Sequence, residues 1–361
     1  PRNRLFIPGP IESPKWVLSA MRKPMISHRG KEFPKLYKKV VPGLKELLYT
    51  KGRVFLGTSS ASGVMEGAIR NASAKRVLSC TCGAFSERWF EIAKANGKET
   101  DQYGVEWGQP NRAEEIDTRL ATGQYDCLTL VHNETSTGVM NDLESISQVM
   151  KKYPDVVWCV DAVSSMAGVK IEVDRLGIDV CLAGVQKAFA IPPGLAVFAV
   201  SAKALARART VANRGAYYDF VKFAEFDDKL QTPETPAIAH INALAAQVKS
   251  FRKEGIEARF QRHLQLAGIG RAWARERFDT FAPAGFESVT LTTVKNTRGI
   301  DVKALIEALK ASRHVEIGNG YGKLKDKTFR IAHMGETTEA ELKEILGWID
   351  EILPTLKQAS A

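Results

Sequence analysis

Lys187 stands where a lysine side chain can act as a nucleophile. It follows residues 179–183, an apolar run that predicts a buried strand, and it precedes the turn Pro192-Pro193-Gly194. A lysine on a rigid loop at the end of a strand can form a Schiff base with a carbonyl compound once its amine is desolvated. A lone loop lysine is usually a solvated charge, so this interpretation depends on the residues that accompany it.

Two other features supply what such a lysine needs. Asp161 directly follows a second predicted strand, residues 156–160, and a carboxylate there can keep a pyridine nitrogen protonated. Residues 57–66 form a small-residue turn that opens a helix, whose free N–H groups can receive a phosphate dianion. Each feature alone is also an ordinary helix cap. Together with Lys187 they predict a pyridoxal phosphate site.

Alternating strands and helices must position these residues. Six apolar runs predict buried strands: residues 53–56, 76–79, 127–131, 156–160, 179–183 and 196–200. Amphipathic helical stretches lie between them: residues 62–70, 86–95 and 142–152. This alternation predicts an α/β fold with a doubly wound, mainly parallel sheet, which binds ligands at the carboxyl ends of its strands.

The pattern changes after Thr232-Pro233. Residues 237–278 predict one long helical segment joining two domains. The chain beyond it predicts an α+β unit made of strand 288–294, helix 302–311, strand 328–333 and helix 338–357. We therefore expect an N-terminal segment (1–14), a large cofactor-binding domain (15–250) and a small C-terminal domain (251–361).

The chain resembles the class V, fold-type I pyridoxal phosphate aminotransferases, a group that includes alanine–glyoxylate, serine–pyruvate and phosphoserine aminotransferases. The resemblance covers nearly the whole chain and rests on motifs in the same order. These are Phe6-Ile7-Pro8-Gly9-Pro10, Gly83-Ala84-Phe85-Ser86-Glu87-Arg88, Asn133-Glu134-Thr135-Ser136-Thr137-Gly138, Asp161-Ala162-Val163-Ser164-Ser165, Gln186-Lys187 with Pro192-Pro193-Gly194, Thr232-Pro233 and Phe329-Arg330-Ile331.

The resemblance implies a role for each matching residue. Lys187 would be the Schiff-base lysine and the catalytic proton shuttle, and Asp161 would pair with the pyridinium. Val163 and Phe85 would cover the two faces of the cofactor ring, and Thr135 would reach its phenolic oxygen. The phosphate would be held by Ser60, Ala61, Ser62 and Gln186.

Two further residues would contact the substrate and the neighbouring subunit. Arg330 would bind the substrate α-carboxylate as a planar two-point clamp. Thr232 would reach the phosphate of the other subunit's cofactor, so the resemblance implies a homodimer with shared active sites. The chain departs from many relatives at Ala61, where they have glycine, and from some at Phe85, where they have tryptophan. A phenyl ring can still stack on the pyridine.

The substrate depends on the segment containing His28 and Arg29. It resembles the segment with which phosphoserine aminotransferases bind the substrate phosphate across the subunit interface, and two donors beside Lys31 suit a dianion. Serine–pyruvate relatives carry similar segments, and the Pro192-Pro193-Gly194 turn is closer to the alanine–glyoxylate branch. Our first prediction is phosphoserine with 2-oxoglutarate. The alternative is alanine–glyoxylate or serine–pyruvate (serine–glyoxylate) transamination, with His28 and Arg29 structural.

Composition narrows the remaining possibilities. Of 361 residues, 44% are hydrophobic and 25% charged, which is typical of a globular protein. The apolar runs are too short to cross a membrane, and no secretory signal is recognisable. The five cysteines show no metal-ligand spacing and predict reduced, buried thiols without a metal. We therefore predict a cytoplasmic protein.

The sequence argues against three other functions. A net charge of +10 is compatible with nucleic acid binding, but the basic residues are dispersed along the chain. A nucleotide-binding protein would need glycine spacings that residues 57–63 lack. Desulfuration on this fold normally needs an exposed, reactive cysteine, and none lies in a convincing loop.

Overall fold

A computed structural model of the protein describes residues 3–356. The strands in that range are β1 (Arg4–Phe6), β2 (Arg53–Gly57), β3 (Arg76–Thr81), β4 (Glu99–Gly104), β5 (Cys127–Val131), β6 (Asn133–Glu134), β7 (Val139–Met140), β8 (Val157–Asp161), β9 (Val180–Gly184), β10 (Ala196–Val200), β11 (Leu291–Lys295), β12 (Val315–Asn319) and β13 (Thr328–Ala332). The helices are α1 (Lys15–Met21), α2 (Glu32–Leu47), α3 (Ala61–Ala72), α4 (Ala84–Ala95), α5 (Ala113–Leu120), α6 (Leu143–Met150), α7 (Val173–Leu176), α8 (Ala202–Thr210), α9 (Phe220–Asp227), α10 (Ile238–Glu254), α11 (Ile256–Arg277), α12 (Val302–Arg313) and α13 (Glu339–Ile352).

A seven-stranded sheet, called the large sheet below, carries the site. Its strand order is β2-β10-β9-β8-β5-β3-β4. Strand β10 is antiparallel to both of its neighbours, and the other neighbouring pairs are parallel. The predicted α/β fold with a mainly parallel sheet is confirmed. Strands β2, β3, β5, β8 and β9 therefore all end at one edge, which is where ligands bind in such sheets.

The large sheet is covered on both faces. In strand β8, Trp158 and Val160 belong to one buried apolar cluster, and the alternating Val157 and Cys159 belong to another. A strand that is buried on both faces has a continuous apolar sequence rather than an alternating one. This is why residues 156–160 could be recognised as a strand.

A four-stranded sheet, called the small sheet below, has the order β1-β12-β13-β11. Its core is formed with side chains of α11, α12 and α13. Strand β1, from the start of the chain, pairs in parallel with β12, with Phe6 opposite Ile317. This long-range pairing was not predicted, and it carries the following residues, 7–11, toward the large sheet.

Three predicted elements need correction. The single helical segment 237–278 is two helices, α10 and α11, because Gly255 between them adopts a φ of +90°, which ends the helix. The strand predicted at 288–294 begins only at Leu291. Helix 338–357 ends at Ile352, and Lys357 lies outside the described residues.

The cysteines and the helices bear on two earlier expectations. All five cysteines are free thiols and all are buried, as predicted. Among residues 3–356, no helix combines the length and apolar character that crossing a membrane requires.

Candidate active site

All of the predicted cofactor-binding residues except Thr232 lie at the carboxyl edge of the large sheet. Each of them lies in, or shortly after, a strand that ends there. Ser60, Ala61 and Ser62 follow β2, Phe85 follows β3, Thr135 follows β5, Asp161 ends β8, and Gln186 and Lys187 follow β9.

Lys187 is buried beneath the N-terminal segment. The residue is 9% exposed, and its amine donates a hydrogen bond to the carbonyl oxygen of Pro8. Gly9 has a φ of +101°, and a Cβ there would lie 2.6 Å from Lys187 Cδ, so glycine is required for this approach. Burial, and then the Arg330 cation, lower the pKa of Lys187 to about 8, although Asp161 opposes the shift. A neutral amine is thus accessible near physiological pH.

Asp161 provides a buried carboxylate on the neighbouring strand. One carboxylate oxygen accepts the indole N–H of Trp89 at 3.1 Å, and the other accepts the backbone N–H of Val163 at 2.9 Å. Burial raises the pKa of Asp161 to about 6 despite these hydrogen bonds. A cation placed against this carboxylate would restore its negative charge, which is what a pyridinium partner requires.

The turn before α3 has an open helix N-terminus. Ser60 is the N-cap residue, is exposed, and makes no side-chain hydrogen bond to the helix. Ala61 is buried, so its methyl group occupies space that the common glycine would leave empty. Ser62 Oγ lies 3.5 Å from Arg88 Nη1, which adds a cation beside the turn. Such a helix start can accept a phosphate.

Helix α4, in contrast, begins on a carboxylate of its own chain. Glu134 is fully buried and accepts the backbone N–H groups of Phe85 at 3.2 Å and Ser86 at 2.9 Å. It also accepts the hydroxyl of Ser136 at 2.7 Å. The negative charge complements the positive helix end and fixes Phe85 at the edge of the site.

Arg330 is held by two backbone carbonyls. Its Nε donates to Asn319 O at 2.9 Å and its Nη1 to Thr135 O at 3.2 Å, and the residue is 8% exposed. Burial lowers the pKa of Arg330 to about 10, so the guanidinium remains charged at neutral pH. Thr135 Oγ1 lies 2.5 Å from Ser164 Oγ, so its hydroxyl is already part of a hydrogen-bonded pair.

Tyr321 completes the opening of the site. The ring centroid of Tyr321 lies 5.2 Å from that of Phe85. The guanidinium carbon of Arg330 lies 5.7 Å from the centroid of the Tyr321 ring. The same loop places Lys323 Nζ 4.2 Å from the ring of Trp107, whose indole N–H donates to Glu87 at 2.7 Å. These contacts fix the loop between β12 and β13 against α4.

His28, Arg29 and Thr232 form a separate group. Arg29 donates to Gln231 Oε1 at 3.0 Å, to Thr232 O at 2.7 Å and to Pro233 O at 2.8 Å. Its guanidinium also lies 4.8 Å from the ring of Phe226. Within residues 3–356, no hydrogen bond or ion pair joins this group to the cluster around Lys187.

The sequence-based prediction missed three residues of the site. Trp89 and Glu134 act through contacts that no local spacing reveals, although both lie in or beside motifs already recognised. Tyr321 lies in a glycine- and lysine-rich loop that resembles an ordinary surface turn. Its exposure, at 36% for a large aromatic residue, is a signal visible in the structure alone.

Comparison with known proteins identifies the family. The family model of the aminotransferase class V matches residues 20–318. The chain belongs to the class V aminotransferases. It is similar to L-aspartate–glyoxylate aminotransferase of Paracoccus denitrificans (30% identity, covering 94% of this chain and 88% of the relative). It is also similar to serine–glyoxylate aminotransferase of Arabidopsis thaliana (30% identity, 98% and 90%).

Solved structures of class V aminotransferases have the same fold. Alanine–glyoxylate aminotransferase from Nostoc sp. aligns with a TM-score of 0.92 at 26% identity, covering 98% of this chain and 96% of that one. A phosphoserine aminotransferase from Cytophaga hutchinsonii aligns with a TM-score of 0.87 at 25% identity, covering 97% and 98%. The recognition of the family and of its fold-type I architecture from sequence is confirmed.

The cofactor of this class V aminotransferase is pyridoxal phosphate, and the site fits it. A buried amine with a lowered pKa, a buried carboxylate on the adjacent strand and an uncapped helix start match the cofactor's carbonyl, ring nitrogen and phosphate. Val163 follows Asp161 after β8, and Thr135 and Phe85 follow the next two strands along the sheet edge, β5 and β3.

Proposed function

We propose that the enzyme transfers the amino group of an amino acid with a small, uncharged side chain, serine or alanine, to glyoxylate. The observation that carries this choice is the position of Arg29. Three of the five N–H donors of a guanidinium are bound here to groups of the same chain. Only two N–H donors, on Nε and Nη2, are then left for a substrate phosphate, and the other three hold Arg29 against the turn containing Thr232. The proposal therefore favours our alternative reading over phosphoserine with 2-oxoglutarate.

The relatives support the same acceptor. The two curated relatives described above are both named for glyoxylate, whereas their donors differ. The alanine–glyoxylate structure also aligns more closely than the phosphoserine aminotransferase, with TM-scores of 0.92 and 0.87. These relatives support glyoxylate as the acceptor.

Tyr321 supports a small donor. A substrate carboxylate on Arg330 would lie beside the Tyr321 ring, which contacts both Arg330 and Phe85. A long or branched side chain would have to displace this ring and the loop that carries it. A methyl or hydroxymethyl side chain would not.

In the proposed mechanism, Arg330 binds the substrate, Asp161 binds the cofactor ring nitrogen and Lys187 transfers the proton. Arg330 binds the α-carboxylate through two N–H groups and thereby orients the α-carbon. Bound pyridoxal phosphate supplies an electron sink for the negative charge that develops there. Asp161 would hold the ring nitrogen of the cofactor and keep it protonated. Lys187 would take the proton from the substrate α-carbon and deliver it to the carbon of the cofactor's former aldehyde group.

The lowered pKa of Lys187 suits this proton transfer. A base is most effective when its pKa lies near the working pH, and burial and Arg330 bring this pKa to about 8. Pro8 and Gly9, in the N-terminal segment, cover the amine of Lys187 and limit its access to water. Return of the amino group to glyoxylate reverses the same steps, so we expect ping-pong kinetics.

The remaining predicted contacts belong to the same proposal. Ser60, Ser62 and Gln186 hold the phosphate, with the Ala61 N–H at the helix start. In a homodimer, Thr232 reaches the phosphate of the cofactor that the second subunit binds. Exposed apolar side chains on and after α1, namely Trp16, Leu18 and Met25, support an interface between two copies.

The five reduced thiols support the cytoplasm as the location of the protein.

A panel of half-reactions tests the proposal. The purified holoenzyme is mixed with serine, alanine, aspartate, glutamate or phosphoserine, and the loss of cofactor absorbance is followed. The amino form is then mixed with glyoxylate, pyruvate or 2-oxoglutarate. We expect serine or alanine, and then glyoxylate, to react fastest. Faster reaction of phosphoserine and 2-oxoglutarate would overturn the proposal and restore the phosphoserine reading.

A further inference from the structure

One buried arginine connects the segments that follow the key residues of the site. Arg259, on α11, is fully buried. Its Nε donates to Ala167 O at 2.8 Å, and its Nη2 donates to Ala188 O at 2.8 Å and to Gly335 O at 3.2 Å. Its Nη1 donates to Glu254 and Glu336, and its guanidinium carbon lies 4.1 Å from the centroid of the Phe251 ring.

The three carbonyl acceptors have a common relationship to the chemistry. Ala188 immediately follows Lys187, Gly335 lies five residues after Arg330, and Ala167 lies six residues after Asp161. The guanidinium of Arg259 thus binds the three segments that follow Lys187, Arg330 and Asp161 in the chain.

These segments need external support. Ala167 and Ala190 adopt φ values of +70° and +54°, which are unfavourable for residues with a Cβ and persist only where surrounding contacts impose them. The loops after Lys187 and Arg330 also approach closely, so that a Cβ added at Gly335 would lie 3.3 Å from Ala190 Cβ. A shift of either loop would therefore be transmitted to the other.

A buried guanidinium is costly, so its presence calls for a reason other than stability. Removing a cation from water is costly even when two carboxylates compensate it, and an apolar side chain of similar size often serves stability as well. What an apolar side chain cannot do is bind three backbone carbonyls in a fixed plane.

We propose that Arg259 is a positioning residue that sets the separation between the Lys187 amine and the Arg330 clamp by binding the segments behind both. The inference rests on the roles proposed for Lys187 and Arg330. A change in this separation would misalign the α-proton with the amine while leaving the individual contacts to substrate available.

Arg262 provides a matched control on the same helix. It shares Glu254 and Gly335 O with Arg259, at 2.7 Å and 3.0 Å, and it also donates to Thr337 O at 2.9 Å. Within the described residues it makes no hydrogen bond to Ala167 or Ala188. Comparing the two arginines isolates the connection to the Lys187 loop.

The test compares Arg259→Lys with Arg262→Lys as holoenzymes. We expect Arg259→Lys to lower kcat about 10- to 100-fold with KM for the preferred donor nearly unchanged, and to lower the visible circular dichroism of the bound cofactor. Arg262→Lys should change neither. Equal effects of the two substitutions, or a folded Arg259→Lys with normal kcat and dichroism, would overturn the inference.

Glu336→Gln covers the case in which Arg259→Lys does not fold. It weakens one ionic partner of Arg259 but keeps an acceptor at that position, so we expect a smaller loss of kcat, about two- to fivefold, with the same change in dichroism. A folded Glu336→Gln with neither change would also overturn the inference. Failure of the proposed function is distinguishable, because it would appear in the wild-type substrate panel or as activity of a Lys187→Ala variant.

Discussion

Trp89 donates its indole N–H to the carboxylate of Asp161 over 3.1 Å, from a helix on one side of the large sheet to the end of a central strand. Both side chains are nearly inaccessible to solvent. One carboxylate oxygen of Asp161 accepts the Trp89 indole N–H, and the other accepts the backbone N–H of Val163. The carboxylate therefore cannot rotate freely. These two hydrogen bonds fix the orientation of the carboxylate that we propose as the partner of the ring nitrogen.

The buried carboxylate of Asp161 should make the apoprotein less stable as the pH rises. Its pKa is raised from 3.8 to about 6, so the folded state keeps a proton that the unfolded state releases between these pH values. The corresponding stabilisation is present below pH 4 and is lost as the pH rises through about 6. The shift corresponds to about 3 kcal/mol between pH 4 and a pH well above 6.

We therefore expect apo Asp161→Asn to match the wild type at pH 4 and to exceed it above pH 6, with weaker binding of pyridoxal phosphate. Urea unfolding of both apoproteins across this range measures the difference. Asp301→Asn, at an exposed helix cap, is the control for a general effect of charge removal. A constant difference at all pH values would contradict the assigned burial effect.

Replacing Lys187 should abolish transamination. We expect Lys187→Ala to lower kcat/KM by at least about 10²- to 10⁴-fold, because both the covalent attachment and the proton transfer depend on its amine. The yellow absorbance of the attached cofactor should also disappear. Lys170→Ala, which removes a surface ion pair with Glu257, should retain both properties. Full activity without Lys187 would refute its assigned role.

Arg330 cannot be replaced by lysine without loss of binding. A lysine keeps the charge but not the planar pair of N–H groups, so Arg330→Lys should raise KM for both donor and acceptor by about 10- to 100-fold. Steady-state kinetics with each substrate varied in turn measures this. Arg313→Lys, at an exposed ion pair with Glu351, should leave KM unchanged. An effect on one substrate alone would mean that Arg330 is not the shared carboxylate site.

Tyr321 should control the size of the donor. We expect Tyr321→Ala to raise the ratio of kcat/KM for leucine or phenylalanine to that for alanine about tenfold, because the ring no longer occupies the space beside Arg330. Lys323→Ala, on the same loop, removes the contact with Trp107 but not the ring. An unchanged ratio in Tyr321→Ala, or an equal change in both variants, would exclude steric selection by Tyr321.

Arg29 should affect all donors alike. Its guanidinium supports the turn containing Thr232, so Arg29→Ala should weaken turnover of serine, alanine and phosphoserine by the same factor. A direct contact with a substrate phosphate would instead be worth roughly 1.5–3 kcal/mol for phosphoserine alone. Kinetics with the three donors distinguishes a shared loss from a selective one.

Local patterns were sufficient to predict most of the large sheet. Strands buried on both faces have continuous apolar sequences, and all six predicted strands begin and end within about two residues of β2, β3, β5, β8, β9 and β10. The residues at the ends of these strands could be assigned to the site because neighbouring parallel strands end at a common edge. Lys187 and Asp161 were predicted in this way.

Long-range relationships could not be predicted from local patterns. Strand β4 was missed because its sequence, residues 99–104, is largely polar, as expected at the edge of a sheet. The partner of Asp161 lies 72 residues away in the chain, and the carbonyls bound by Arg29 lie about 200 residues from it. Such pairs depend on the packed structure, so sequence motifs identified the residue types but not their partners.

The carboxylate of Glu134 at the start of α4 has a stereochemical consequence. Two helix starts flank the site, and one already holds an internal anion, whereas the other, at Ser60, is open. A phosphate would be repelled from the first and attracted to the second, so the cofactor can enter in one direction. The face of the cofactor that meets Lys187 is then the same in every turnover. We expect a single enantiomer of the product amino acid to follow from this asymmetry.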